Sequence, residues 1–338
     1  MEKSLHKALL EYDFRQPAAL CSQLEWKGSV PRKDFPLMLV LADGNTIGTI
    51  GGGNMEYAVI ELAKKVLQSR QPVFQEFDLN YSKAMAPGSI CGGYTKILVE
   101  PFTPEIQSFL RSLHSPEPTG QSIIVTCVER GEPLRSDRFR VEPGTGKHSL
   151  PERVLAAIRK ARDRRKAVSV DLDSAFYLVQ PLAPPPVLHL FGAGHIGKAV
   201  AELAHFIDLE VIVYDDRREL SSPERFPEAT LFPTESFDRI IDEAPIAPQD
   251  FVLIATRGHQ HDLVLLRDLL KKEVAYIGLM SSRRKWQILS EALLAEEFPP
   301  KSIRKVHAPV GLDIHSKTVP EIAVSIISEI IGEYRSER

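Results

Sequence analysis

The chain has 338 residues, of which 43% are hydrophobic, and its 42 Lys and Arg against 45 Asp and Glu leave a net charge of −3. That length suggests two domains with ample apolar material for cores. The near-neutral balance argues against nucleic-acid or anionic-membrane binding, and no stretch approaches the roughly 20 apolar residues of a membrane span.

The three cysteines, Cys21, Cys91 and Cys127, cannot all pair and lack zinc-finger spacing. The opening segment, MEKSLHKALLEYDFRQ, reads as charged and helical without a signal-peptide core. A reducing cytoplasm is the expected compartment.

Along the first half, the pattern predicts an amphipathic helix near 4–12, then strands over 18–27, 36–41 and 46–50. A glycine triplet, Gly51-Gly52-Gly53, feeds a helix marked by Met55, Val59, Leu62 and Val66. Strands follow over 72–78, 95–100 and 122–128, with helices over 103–113, capped by Thr103, and 151–164. This mixture reads as α+β. The run Pro181-Leu-Ala-Pro-Pro-Pro186 is the natural connector, giving domains of 1–182 and 183–338.

The second half alternates β and α segments, as a Rossmann-like doubly wound parallel sheet does. Strands are expected over 187–191, 210–214, 251–255 and 275–278, and near Val306. The first precedes a helix whose face is marked by Ile196, Val200, Leu203 and Ile207. Thr318-x-x-Glu321 is a capping box for a last helix carrying Ile322, Ile326 and Ile330, a stripe that suits either core packing or a homodimer contact.

Between the first strand and helix of this half stands Gly192-Ala-Gly-His-Ile-Gly197. Such a fingerprint is weak alone, but here it has a strand before it, a helix after it and Asp215 about 20 residues on. Gly192 permits the tight turn, Gly194 lets the backbone approach a phosphate, and Gly197 lets helix and strand pack closely. Amides near His195 favour an anion. Asp215 is placed to accept from a ribose or similar diol, and Arg217 and Arg218 to meet a second phosphate. A purely structural glycine turn is the alternative. The chemistry selects a phosphate with a polar, sugar-like neighbour, which NAD(P), a pterin phosphate and a pterin dinucleotide all offer.

Other loops leave the same carboxyl edge. In Thr256-Arg257-Gly258-His259-Gln260-His261-Asp262, Arg257 and His259 either line the cleft or are polar loop residues, with Asp262 capping the next helix. A metal site from His259, His261 and Asp262 is the weaker reading, because adjacent loop residues seldom converge. Arg283, Arg284 and Lys285 are either a solvated helix start or phosphate contacts.

In the first half, Gly28-Ser-Val-Pro-Arg32, Met38, the triplet with Gly52, Gly53 and Glu56, and Cys91-Gly-Gly93 form an unusual set. Small residues at a helix start suit an anion. Cys91 beside two glycines is either a reactive thiolate able to bind a soft metal or sulfur, or an inert buried residue.

Together these motifs resemble the xanthine dehydrogenase accessory factor (XdhC/CoxI) family over nearly the whole chain. The likeness includes Phe191–Gly197, Asp215-x-Arg217, Ala255–His259 with Asp262, Tyr276–Gly278, Ser282–Lys285 and Pro309-x-Gly311-Leu-Asp313. The sequence departs from the family pattern at Asp34-Phe35-Pro36, where a glycine often stands, and at Asn54, where many members have a cysteine. The second departure removes a possible soft ligand.

The resemblance implies a non-catalytic carrier that binds molybdenum cofactor (molybdopterin), supports its sulfuration and delivers it to a molybdenum hydroxylase apo-enzyme. A cysteine desulfurase is then a further expected partner. In that picture the helix start at His195–Lys198 holds the phosphate, Asp215 and Arg217 fix the polar edge, and Cys91 approaches the metal. An NAD(P)-dependent oxidoreductase is the alternative, although no Tyr-x-x-x-Lys or His–Asp proton-transfer pair stands out. A nucleotide-sensing module is the third reading.

Overall fold

The computed structural model describes residues 3–79, 93–113, 122–143, 149–182 and 186–336. It separates into two compact units, Met1–Pro184 and Pro185–Arg338.

The first unit runs α1 (Lys3–Glu11), β1 (Ala18–Gly28), β2 (Leu37–Leu41), β3 (Thr46–Gly48), α2 (Gly53–Ser69), β4 (Val73–Asp78), β5 (Gly93–Pro101), α3 (Pro104–Ser112), β6 (Ile123–Glu129), β7 (Arg135–Val141), α4 (Glu152–Arg164), β8 (Val168–Asp171) and β9 (Ala175–Pro181). Two antiparallel sheets form, ordered β3-β2-β1-β5-β4 and β7-β6-β9-β8.

Strand alternation decides the layers. Ala19, Cys21, Ile97 and Val99 meet Met55, Val59, Ala63 and Val66 of α2. On the second sheet, Ile123, Val125, Tyr177 and Val179 meet Val154, Ala157, Ile158 and Ala161 of α4. The remaining faces close on each other through Leu24, Leu98, Val128, Phe176 and Leu178. The order is therefore helix, sheet, sheet, helix. Each layer hides what the next would expose. The Thr103 hydroxyl caps α3 by accepting from the Ile106 amide at 3.4 Å.

Three strands of this unit, β7, β8 and β9, lie outside the elements expected from the sequence. Two are edge strands whose outward positions are polar, so β7, with the sequence RSDRFRV, shows no apolar alternation.

The second unit runs β10 (Val187–Phe191), α5 (His195–Phe206), β11 (Glu210–Asp215), β12 (Thr230–Pro233), α6 (Ile240–Glu243), β13 (Phe251–Ile254), α7 (His259–Leu269), β14 (Tyr276–Leu279), α8 (Arg283–Ala295), α9 (Pro300–Ile303), β15 (Val306–His307) and α10 (Val319–Ser336). Six parallel strands stand in the order β12-β11-β10-β13-β14-β15. This is the doubly wound Rossmann order, which reverses direction between β10 and β13.

The inner face of α5 is Gly197, Val200, Ala201 and Ala204, rotated from the predicted Ile196/Ile207 stripe. The cause is local: a Cβ on Gly197 would lie 2.1 Å from the Gly192 carbonyl, so that glycine must face the strand. The capping box of α10 forms, with Thr318 N donating to Glu321 at 3.0 Å and Glu321 N to Thr318 Oγ1 at 3.4 Å. Ile326 and Ile330 pack with α5 residues in the core, and Ile322 flanks them.

His189, fully buried, does meet Asp250 (3.1 Å from Nε2), and its Nδ1 lies 2.8 Å from the Tyr214 hydroxyl. With no exposure, this His–Asp pair ties β10, β11 and the loop before β13 together and has no route to a substrate.

Candidate functional site

The carboxyl edge of the parallel sheet is built around the turn 192–197. Gly192 has φ +120°, and a Cβ there would lie 2.2 Å from the Ala255 carbonyl, so only glycine lets β13 pass. Gly194 is different: a Cβ would meet nothing within 4 Å, so the space over its backbone is open. Gly194 is the N-cap of α5 and offers no side-chain cap bond. Lys198 N already donates to the Gly194 carbonyl at 2.9 Å. The amides of His195, Ile196 and Gly197 are then the helix's open donors, aimed where the helix dipole favours negative charge.

The structure changes the expected task of Asp215. Its Oδ1 accepts from Arg217 N (3.0 Å) and Nε (2.8 Å), and its Oδ2 from Ala193 N (2.7 Å) and Arg217 Nη2 (2.8 Å). Those four bonds fill the carboxylate's acceptor directions, and the residue is 3% exposed. A diol would have to displace Arg217 or an amide. Asp215 therefore straps the glycine turn to β11, and Arg217 is spent on Asp215, not free for a phosphate. Burial alone would raise the Asp215 pKa, but the Arg217 bonds and the two amides outweigh it and hold it below the usual carboxylate range.

Arg257 is exposed and reaches Asp216 at 2.7 Å, joining the loops after β13 and β11. His259 is the exposed first residue of α7. His261 instead packs edge-on against Phe237, ring centroids 5.3 Å apart.

Asp262 is not a helix cap. It is fully buried, accepts from the Thr256 hydroxyl at 2.6 Å and pairs with the Lys285 ammonium, which also donates to the Met280 carbonyl at 3.2 Å. Lys285 is thus a clasp between the loops after β13 and β14, half-buried and tied to protein partners, not free for phosphate. Ser282 caps α8 through Lys285 N at 3.1 Å, and Arg283 and Arg284 stay exposed. Sequence reasoning does not find this Thr256–Asp262–Lys285 clasp; the signal available is an acid in the first turn of α7 facing a basic run after the next strand.

Beside Asp215, a groove of about 650 Å³ opens at the ends of β11 and β12. Its lining carries Asp215, Glu235, Asp238 and Glu243 against Arg218, with Ser221, Thr234 and Ser236. That charge balance suits hydroxyl and amino donors and disfavours phosphate.

In the first unit, the structure brings several of the singled-out segments to the start of α2. A Cβ on Gly51 would lie 2.6 Å from Pro31, and one on Gly93 would lie 2.4 Å from the Ser29 carbonyl. Gly52 and Gly53 have φ +74° and +67° with open space above them. Glu56, however, folds back onto the loop. Its Oε2 accepts from Ile50 N (3.1 Å), Gly52 N (3.0 Å) and the Thr49 hydroxyl. The protein's own carboxylate occupies the anion position, so Glu56 and Gly52 brace the loop and are not open to a cofactor.

Cys91 lies outside the described residues. Cys21 and Cys127 are buried, and burial pushes both thiols up, so neither supplies a thiolate near neutral pH. Among the described residues, no group of three or more His, Cys, Asp or Glu is placed to hold a metal ion, and no helix is long and apolar enough to cross a membrane.

The XdhC Rossmann domain model matches residues 188–330, and the XdhC and CoxI family model matches residues 13–78. The chain belongs to the XdhC/CoxI family. It is 28% identical over 331 residues to a probable xanthine dehydrogenase subunit of Bacillus subtilis (strain 168), covering 96% of this chain and 94% of that one. It is 29% identical over 316 residues to the uncharacterized protein YqeB of Escherichia coli (strain K12), covering 93% of this chain but only 43% of that longer protein.

A crystal structure described as a xanthine dehydrogenase from Bacillus halodurans superposes with a TM-score of 0.79 at 26% identity, over 99% of this chain and 96% of that one. Within this XdhC/CoxI chain, the matched Rossmann segment contains the open turn at Gly194 and the Lys285 clasp.

Proposed function

We propose that the chain is an accessory factor for xanthine dehydrogenase-type molybdenum hydroxylases, which binds molybdenum cofactor, supports its sulfuration and hands it to the apo-enzyme. The observation that carries this reading is the bare backbone at Gly194 above the open amides of α5, within a chain of the XdhC/CoxI family.

The fit to a phosphate-bearing pterin is favourable on two counts. A Cβ-free cradle lies at a 12-residue helix N-terminus, and an acid-lined groove beside it suits amino and hydroxyl donors. The amides of His195, Ile196 and Gly197 hold the phosphate. Arg257 and His259 flank it, and Asp215 with Arg217 keeps the turn in shape. Cys91 is the remaining candidate for the soft contact. When bound, the cofactor supplies the oxygen-transfer chemistry of the client; this chain positions and shields it.

The NAD(P) alternative asks the acid at the end of β11 to accept a ribose hydroxyl, and Asp215 is saturated by protein donors.

Mass spectrometry of the pterin and molybdenum content of protein purified from molybdate-fed cells tests the proposal. A retained pterin, lost in Gly194→Val, is the expected result. Micromolar NADH or NADPH binding with turnover and no pterin would replace it with an oxidoreductase. Nucleotide binding without turnover would favour a sensing module.

A further inference from the structure

The first unit holds a cavity of its own, lined by none of the Rossmann residues. Between the two facing sheets lies a cavity of about 250 Å³. Its walls are mostly apolar: Leu24 and Leu37 from one sheet, Ile124 and Leu178 from the other, Leu110 of α3, and Phe35 of the loop before β2.

Into this apolar setting the edge strand β7 projects Arg138, whose side chain is 10% exposed. Arg138 pairs through Nη2 with Glu100, whose side chain is 3% exposed, and Nη2 also lies 3.5 Å from Ser22 Oγ. Ser136 donates to the other Glu100 oxygen at 2.6 Å. Glu100 is thus satisfied, while Nε and Nη1 of Arg138 make no hydrogen bond to a described residue. A buried ion pair is costly unless its remaining protons find acceptors; Arg138 lines the cavity, and its spare donors are not sealed from water.

Among the described residues, two opposed pairs stand at the cavity: Arg138 with Glu100, and Arg32 with Asp34 at 2.6 Å. An added anion would leave net buried charge; an uncharged molecule with an oxygen acceptor would not. A roughly 150 Å³ cavity accepts benzene, so this volume takes about ten non-hydrogen atoms. The closing loop carries a further mark. Phe35 holds φ +52°, a left-handed backbone that costs a bulky residue about 1–2 kcal/mol, and packs on Trp26 with ring centroids 4.5 Å apart. Such strain concentrates at ligand clamps.

We propose that this inter-sheet cavity binds a small, uncharged, largely apolar molecule carrying one carbonyl-type acceptor, held by Nε and Nη1 of Arg138 and covered by Phe35.

Benzamide is the probe, followed by NMR of methyl-labelled full-length protein, with toluene and benzoate as controls. Benzamide should shift the Ile124 and Leu178 methyls with millimolar affinity, ahead of both controls. Arg138→Lys, which keeps a cation opposite Glu100, should weaken it at least about tenfold. Ile124→Phe, which fills the cavity, should abolish binding without lowering Tm, and provides the test if Arg138→Lys fails to fold. Absence of shifts at those methyls, benzoate or toluene binding as tightly as benzamide, or benzamide binding undiminished in either folded variant would overturn the proposal.

Discussion

Two glycines two residues apart should respond oppositely to substitution. Gly194 has φ −69°, and a Cβ there meets nothing within 4 Å. Valine in its place gives up a good N-cap, which costs about 0.5–1 kcal/mol. Reduced freedom of the unfolded chain returns about 0.4–1 kcal/mol. The net change is close to zero, and Tm should move by no more than about 3 °C for a unit of this size.

Gly192→Ala is another matter. At φ +120° its Cβ would lie 2.2 Å from the Ala255 carbonyl. Backbone strain of about 1–3 kcal/mol combines with the displacement of β13, so a fall in Tm of about 10 °C is expected. Calorimetry of the two variants measures this contrast. Pterin content by mass spectrometry then separates shape from function: Gly194→Val should keep its fold and lose at least about nine-tenths of its cargo, a tenfold affinity change being about 1.4 kcal/mol. If Gly194→Val unfolds as Gly192→Ala does, the geometry assigned to the turn is wrong. If it folds and carries its cargo undiminished, the anion site is not at α5.

Three further outcomes follow from named contacts. Asp215→Asn should cost about 1.5–3 kcal/mol by denaturant titration at pH 7, because charge-assisted bonds from Arg217 are lost. The Asp215 pKa is lowered in the fold, so its contribution is present above the unfolded value of about 3.9 and is lost as pH falls through the folded one. The variant should therefore show a flatter acid limb below about pH 4, and an unchanged limb would count against the strap. Lys285→Met leaves Asp262 buried beside only the Thr256 hydroxyl and should cost about 3 kcal/mol, with Asp262→Asn in the same chain recovering part of it; equal Tm values for the parent and Lys285→Met would remove the clasp. Glu56→Gln should cost about 1 kcal/mol and speed hydrogen exchange at the Ile50 and Gly52 amides, and unchanged exchange there would show that the loop does not need its brace.

Much of the fold is legible locally. The strand–Gly192…Gly197–helix–Asp215 spacing needs only neighbours in the chain, as does the Thr318–Glu321 box, and both form where the pattern places them. The edge strands β7 and β8 are not legible: β7 carries charge along its length, so alternation disappears into polar sequence, and β8, Val-Ser-Val-Asp, alternates over only four residues. The α5 stripe predicted from hydrophobicity is one step out of phase, since apolarity marks Ile196 and Ile207 while close packing demands Gly197.

Residue chemistry within reach of the backbone is what the sequence by itself determined: which turns require glycine, which helix starts present amides, and that a parallel sheet carries them. What each charged side chain does was decided only in three dimensions. Spacing alone points Asp215 and Glu56 at a ligand and leaves Lys285 open to solvent or phosphate; the fold turns all three onto protein partners. A buried charge takes whichever partner the fold brings within about 3 Å, and those partners come from loops 2 to 23 residues away that no linear spacing ranks.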